Sequence, residues 1–388
     1  MRELEQILET WNEAAGRGES GVLATVVRVH GSSYRRPGAR LLLTSGGRRA
    51  GSVSGGCLEA DLARKAWWLT DGGKCVVRRY DTTSDGEIAQ EFGLGCNGII
   101  HLLLERMESG AFSPLSVVEP VRRARENAVI ATVIASSDEA FVKTGQRWIQ
   151  YPGGEIQTDL SATGLCSQLG YEALGVSREK EPRIFSWASS GYAVDIFMEP
   201  VQAPVRLLVF GAGDDAITMV RLAKFIGYET VVLDGRSHLA RRDRFAAADR
   251  VLVTSESDPL GGITIDARTA CVLMSHSYVQ DLAALRALYN TAAAYVGVLG
   301  PRKRTEQMIV ETGVSAQNEF GGVYSPVGLD IGADGAEQIA LAVIAEIQAV
   351  LHGRRGGMLR DKVGSMHASS IQASDEIFVR PNSCPLDV

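Results

Sequence analysis

Two cysteines set among glycines carry the strongest chemical signal in the chain. Ser54-Gly55-Gly56-Cys57-Leu58-Glu59 places a thiol directly after two glycines at an expected helix start. The positive end of a helix lowers a thiol pKa there, and such a thiolate serves as nucleophile, sulfur acceptor or soft-metal ligand. A buried structural cysteine is the alternative that the local sequence leaves open. Gly93-Leu94-Gly95-Cys96-Asn97-Gly98 repeats the arrangement just before an apolar run. Glycines at such a place admit a ligand close to the backbone, or simply make a β-bulge. Between the two loops lies Tyr80-Asp81-Thr82, where Asp81 either orients a group or turns the chain. Arg35, Arg36 and Arg40 surround Pro37-Gly38 after Gly31-Ser32-Ser33. They suit a phosphate or carboxylate, or form only a solvated basic loop.

A second constellation sits further along. Gly211-Ala212-Gly213-Asp214-Asp215-Ala216 follows an apolar run and opens a helical pattern, fitting G-x-G-x-x-A. In such a turn the first glycine makes the bend and the second lets a phosphate reach backbone N–H groups. Asp234 comes 23 residues after Gly211, where a ribose-binding carboxylate belongs. Asp214 and Asp215, however, put negative charge beside the phosphate position, which repels a pyrophosphate unless Arg236 or a metal offsets it. A Rossmann fold without nucleotide therefore stays open. His276 follows another apolar run, and residues at the carboxyl ends of parallel strands line the cleft of such sheets; a structural histidine is the plainer reading.

The elements that must position these residues are legible in outline. At 388 residues the chain is long enough for two or three domains. Strands are predicted over 22–29, 41–44, 49–53, 75–80 and 99–105, with a helix over 58–69 and an amphipathic first helix over 1–15. A shift of 107 residues lays Val129, Ala131, Thr132 and Val133 on Val22, Ala24, Thr25 and Val26. It also pairs Gly145 with Gly38, Arg147 with Arg40 and Gly153-Gly154 with Gly46-Gly47, suggesting an old duplication. The second copy lacks the Gly-Gly-Cys loop and reads as scaffolding. From residue 205 strands, predicted over 206–210, 230–233, 250–253, 271–275 and 295–298, alternate with helices over about 216–226, 279–289, 302–312 and 335–352, the pattern of a parallel sheet. The expected fold is α/β, a C-terminal Rossmann-like parallel sheet preceded by a β-rich α+β region. The expected division is 1–110 with the Gly/Cys loops, 111–204 as a degenerate repeat, 205–352 as the Rossmann-like domain and 353–388 as a mobile tail.

Composition removes other classes. A net charge of −6 argues against a nucleic-acid protein held by a large basic surface. No uninterrupted apolar run of about 18 residues is present, so no membrane span is expected. The six cysteines form no C-x-x-C pair, which leaves a disulfide scaffold or zinc ribbon unsupported and a reducing cytoplasm as the default location.

These pieces, in this order, resemble the XdhC/CoxI family, accessory factors of molybdenum hydroxylases such as xanthine dehydrogenase. The resemblance rests on Gly31-Ser32-Ser33 with Arg36-Pro37-Gly38-Ala39, on Ser54 to Glu59, on Tyr80-Asp81-Thr82 and on Gly93-Leu94-Gly95-Cys96. It continues through Gly211-Ala212-Gly213, Asp234 with Arg236, Ser275-His276, Tyr295-Val296-Gly297, Pro326-Val327-Gly328-Leu329-Asp330 and Glu337-Gln338-Ile339-Ala340. Asn97 stands where the family usually has a third glycine, and Asp214-Asp215 replaces the common His-Val.

The resemblance implies a chaperone that binds molybdenum cofactor, as molybdopterin or its cytidine dinucleotide form. Such a chaperone supports sulfuration with a cysteine desulfurase and hands the cofactor to an apo molybdenum hydroxylase. It implies a homodimer, and ranks a cofactor-insertion chaperone above a turnover enzyme. By the same carry-over Cys57 and Cys96 lie near the metal end as possible molybdenum contacts, with Glu59 as a third catalytic candidate. Ser54, Gly55, Gly56, Arg36, Gly211, Gly213, Ala216, Asp234, Arg236 and His276 are the expected cofactor-binding residues. An NAD(P)-dependent oxidoreductase with His276 as proton donor, or a nucleotide-binding sensor, are the competing readings.

Overall fold

The strand-forming run at the start of the chain is apolar on both sides, so it must be covered on both faces. The computed structural model, which describes residues 2–82, 98–189, 191–289, 291–313 and 322–361, shows how. The chain divides into two compact units, the first ending at Ala203 and the second beginning at Pro204.

In the first unit, helix α1 (Arg2–Ala15) buries Ile7, Trp11 and Ala14, one stripe of an amphipathic helix. Strands β1 (Gly21–Gly31), β2 (Arg40–Thr44) and β3 (Arg49–Gly51) lead into helix α2 (Cys57–Leu69), followed by β4 (Val76–Asp81) and β5 (Gly98–Met107). They form an antiparallel sheet in the order β3-β2-β1-β5-β4. Val22, Ala24 and Val26 of β1 pack under Leu58, Leu62 and Ala66 of α2.

Helix α3 (Val118–Ala124) leads to β6 (Ala128–Ser136), β7 (Arg147–Gln150), β8 (Ile156–Thr158), α4 (Thr163–Glu179), β9 (Arg183–Ser189) and β10 (Tyr192–Val201). Their sheet runs β8-β7-β6-β10-β9, the same order as the first with its helix at the same place in the chain. The local geometry repeats too. Gly38 and Gly145 both have φ +93°, and each donates its N–H to the strand before it, at Val26 O and Val133 O.

Residues 1–110 and 111–204 thus each carry one sheet, yet they form a single compact unit. The free sheet faces meet through Val27 and Leu103 of one copy and Ile134 and Phe197 of the other. Half of a two-layer core cannot stand alone.

The second unit is a six-stranded parallel sheet in the order β13-β12-β11-β14-β15-β16. Its elements are β11 (Arg206–Phe210), α5 (Asp214–Phe225), β12 (Glu229–Asp234), β13 (Arg250–Val253), β14 (Thr269–Leu273), α6 (Tyr278–Leu288), β15 (Tyr295–Val298), α7 (Arg302–Thr312), β16 (Val323–Tyr324) and α8 (Ala336–Leu351). Helices α5 and α8 cover one face through Ala216, Val220, Val343 and Ile347. Helices α6 and α7 cover the other through Leu285, Leu288 and Met308. The strand order reverses between β11 and β14, the place where doubly wound sheets open a crevice at their carboxyl ends.

The fold is therefore α/β, with a Rossmann-like parallel sheet preceded by antiparallel β-rich sheets. Beyond α8 the described chain ends in a short turn, Leu359–Asp361; the rest of the expected tail lies outside the described residues. Among the described residues no helix is long and apolar enough to cross a membrane.

Candidate functional site

In the first unit the Ser54–Glu59 hexapeptide folds around one carboxylate. Glu59 Oε1 accepts from Ser52 Oγ (2.8 Å), Val53 N (3.0 Å) and Ser54 N (3.0 Å). Oε2 accepts from the Ser54 hydroxyl and from Gly56 N at 2.9 Å. The Ser54 oxygen in turn accepts the N–H of Leu58 at 2.8 Å, satisfying one donor of the first turn of α2. Burial opposes the charge on Glu59, but the Ser54 and Ser52 hydroxyls and the backbone N–H groups overcome it and hold its pKa down at about 2. With five donors on an anionic carboxylate, Glu59 is arranged to hold the loop rather than to trade protons.

The loop needs its glycines. Gly55 and Gly56 take φ +86° and +128°, and a Cβ on Gly55 would stand 3.1 Å from the ring of Tyr34. That contact brings the loop containing Tyr34 and Arg36 against the Ser54–Cys57 turn. Cys57 is the first residue of α2. Its side chain, and Cys96 with residues 93–97 of its glycine loop, lie outside the described residues. The three cysteines whose side chains are described are poor thiolates. Burial pushes Cys75 up to about 12 and raises Cys166 and Cys271 as well. Among the described residues no group of three His, Cys, Asp or Glu could hold a metal ion.

The expected basic loop does not assemble. Arg36 is exposed and Arg35 pairs with Glu3, but Arg40 is turned between the sheets and buried against Glu199. A guanidinium on a two-sided buried strand needs an internal carboxylate. Tyr80-Asp81-Thr82 likewise serves the frame. Tyr80 OH donates to Asp61 Oδ2 on α2 at 3.1 Å, Asp81 pairs with Arg79, and Thr82 Oγ1 donates to Gly98 O at 2.7 Å.

In the second unit the sequence-selected residues converge at the end of β11. Gly211 has φ +129°, and a Cβ there would lie 2.5 Å from Met274 O, so only glycine lets the turn pass the end of β14. Asp234 is fully buried. Its carboxylate accepts from Ala212 N (2.7 Å), Arg236 N (2.8 Å), Arg236 Nε (2.9 Å) and Arg236 Nη2 (2.6 Å). Burial opposes its charge, and the Arg236 side chain with the backbone donors more than offsets that, keeping its pKa below the usual range. Arg236 also donates to Ser275 O at 2.9 Å. Asp234 and Arg236 thus lace the β11, β12 and β14 ends together, and this carboxylate is not open to a ribose.

Gly213 caps α5 and Ala216 is in its first turn, buried in the core. His276 is exposed and held at φ +58°, with Nε2 2.8 Å from Asp215 Oδ2. Beside it, Ser275 Oγ donates to Asp281 Oδ1 at 2.6 Å, and Arg304 Nη2 reaches Asp281 Oδ2 at 2.6 Å, fixing the turn into α6. The Asp281 support and the Asp215–His276 pair carry no signal in the sequence, because each joins residues that only the sheet topology brings together. A cleft of about 310 Å³ opens among Phe210, Leu233, Arg236, Thr254, Ser255 and Gln280, at the carboxyl ends of the strands. Its lining mixes apolar side chains with hydrogen-bonding ones, the usual make-up of a small-molecule site.

Comparison with known proteins adds a second line of observation. The family described as XdhC and CoxI matches residues 14–81, and the XdhC Rossmann domain matches residues 207–347. A protein of Bacillus subtilis (strain 168), named as a probable subunit of xanthine dehydrogenase, is 30% identical over 329 residues, covering 85% of this chain and 92% of its own. The molybdenum cofactor insertion chaperone PaoD of Escherichia coli (strain K12) is 25% identical over 341 residues, covering 87% and 86%. A crystal structure described as a xanthine dehydrogenase from Bacillus halodurans superposes with a TM-score of 0.70 at 25% identity, covering 90% of this chain and 97% of that one.

Proposed function

The chain belongs to the XdhC and CoxI family, and from that premise we propose that it is an accessory chaperone that binds molybdenum cofactor and inserts it into a molybdenum hydroxylase of the xanthine dehydrogenase type. The observation that carries the proposal is the near full-length similarity to a cofactor insertion chaperone. The second support is chemical. Cys57 opens a helix from a loop whose backbone is fixed by Glu59, and a helix N-terminus favours the thiolate that molybdenum and sulfur chemistry requires.

In this reading Cys57, with Cys96, makes the metal or sulfur contact, and a cysteine desulfurase supplies the sulfur. Ser54, Gly55, Gly56 and Glu59 hold the thiol's loop, and Arg36 belongs to the loop that meets it through Tyr34. Gly211, Gly213, Ala216, Asp234, Arg236 and His276 shape the cleft end of the second unit for the organic part of the ligand. Whether that part is molybdopterin or its cytidine dinucleotide form, and a homodimeric state, belong to the same proposal.

The test is reconstitution. An apo hydroxylase of the xanthine dehydrogenase type is incubated with molybdenum cofactor, with and without the chain. Faster or more complete activation by the chain supports insertion. No effect on activation, together with turnover of NAD(P)H on small carbonyl compounds, replaces the reading with an oxidoreductase.

A further inference from the structure

The glycine turn of a Rossmann-like domain ordinarily leaves its second glycine bare so that a diphosphate can sit on it. Here that place is filled from within. Asp215, in the first turn of α5, leans back over Gly213, so that a Cβ on Gly213 would lie 2.5 Å from Asp215 Oδ1. The same oxygen accepts the N–H of Ala216 at 3.0 Å. The other oxygen faces His276 Nε2 at 2.8 Å, and that histidine reaches the position from the end of β14 in a left-handed conformation. A non-glycine residue held at positive φ costs energy and persists only where its surroundings hold it.

The neighbouring arginines do not offset the carboxylate. Arg236 is committed to Asp234 and Ser275 O, and Arg244 to Asp214, Ala212 O and Leu239 O. A diphosphate arriving at this turn would meet an anion already seated on the backbone, with like charge at hydrogen-bonding range.

We infer that Asp215, oriented by His276, closes the glycine turn to diphosphate-bridged nucleotides and is a specificity-determining residue of this site. The class excluded comprises NAD(P) and the cytidine dinucleotide form of the cofactor bound in the ordinary Rossmann manner. The class admitted enters the adjoining cleft through its heterocycle, without a phosphate on the turn. This deepens the cofactor reading by selecting among its ligands. Its test uses simple diphosphates, so it stands or fails separately from insertion activity.

The probes are ADP-ribose and CDP, with cytidine as a control lacking phosphate, titrated calorimetrically into the full chain. Asp215→Ala removes the seated carboxylate, and Asp215→Asn keeps its shape without the charge. Circular dichroism and melting temperature establish that both variants fold. The expected result is diphosphate binding at least about tenfold tighter in Asp215→Ala than in the wild type, a smaller gain in Asp215→Asn, and equal cytidine binding in all three. Diphosphate binding by the wild type as tight as by Asp215→Ala overturns the inference. So does absence of diphosphate binding in every protein, since Asp215 would then not be what closes the turn.

Discussion

Arg40 of the first sheet copy is buried against Glu199 of the second, 159 residues away, with Nη1 3.1 Å from Oε2. The reverse pair is also made. Arg147, the residue that the 107-residue shift lays on Arg40, reaches back to Glu105 at 2.6 Å. Each arginine also donates to the carbonyl of the glycine two residues before it, Gly38 or Gly145. The two copies thus exchange the same arginine in both directions, clamping one sheet onto the other around the Val27, Leu103, Ile134 and Phe197 contact.

A one-sided cut of this clamp should be costly. Arg40→Met leaves Glu199 buried without its cation and is expected to destabilise the first unit by about 3–5 kcal/mol. Adding Glu199→Leu should recover most of that loss, since a buried pair replaced by apolar groups of similar volume is often close to neutral. Chemical denaturation of the two variants checks this. Equal stability of the single and double variants would contradict it.

Glu59→Gln places an amide, with two donors of its own, among five donors that need an acceptor. The expected loss is about 2–3 kcal/mol, with disorder of the Ser54–Cys57 turn. Because the folded pKa of Glu59 is near 2 and lies below the unfolded value, its contribution is present above the ordinary carboxylate range and disappears as pH falls through 2. Acid titration of stability should therefore show a component in the wild type that Glu59→Gln lacks.

His101 of β5 provides a second pH signature. Burial, reinforced by Arg28, His30 and Arg79, holds its pKa down at about 4. Arg28 and Arg79 face it directly on the neighbouring strands, and Asp195 of the other sheet lies 3.7 Å from Arg28. The folded protein takes up this proton later than the unfolded chain, so stability declines as pH falls from about 6.5 towards 4 and levels off below. The decline amounts to about 3 kcal/mol. His101→Leu should flatten that interval, as measured by denaturation midpoints across pH; an unchanged slope would contradict the assignment.

The second unit was the more legible half of the sequence. β11 and β15, buried on both faces, read as unbroken apolar runs and fall at their expected bounds, as do the more exposed edge strand β13 and helix α7. β14 ends at Leu273, two residues early, because Ser275 turns away to bond Asp281. β16 is two residues long and carries no pattern to read. In the first unit β9 is half-buried along most of its length, which blurs the alternation that marks a strand.

Of the candidate site, Ser54, Gly55, Gly56 and Glu59 were visible because one hexapeptide contains them all. The resemblance makes Glu59 a catalytic candidate, and the sequence does not show the five donors that commit its carboxylate to the loop. Arg40 looked like part of a surface anion loop because its partner is far along the chain. Asp215 and His276, 61 residues apart, meet only through the β11–β14 neighbour relation.

On the proposed function the chain carries molybdenum cofactor at a site containing Cys57. Pterin and molybdenum per chain, measured in the wild type and Cys57→Ala purified from molybdenum-replete cells, test this at the protein itself. The wild type is expected to retain both and the folded variant to lose them. Absence of pterin from either protein, or equal retention by the two, would contradict it.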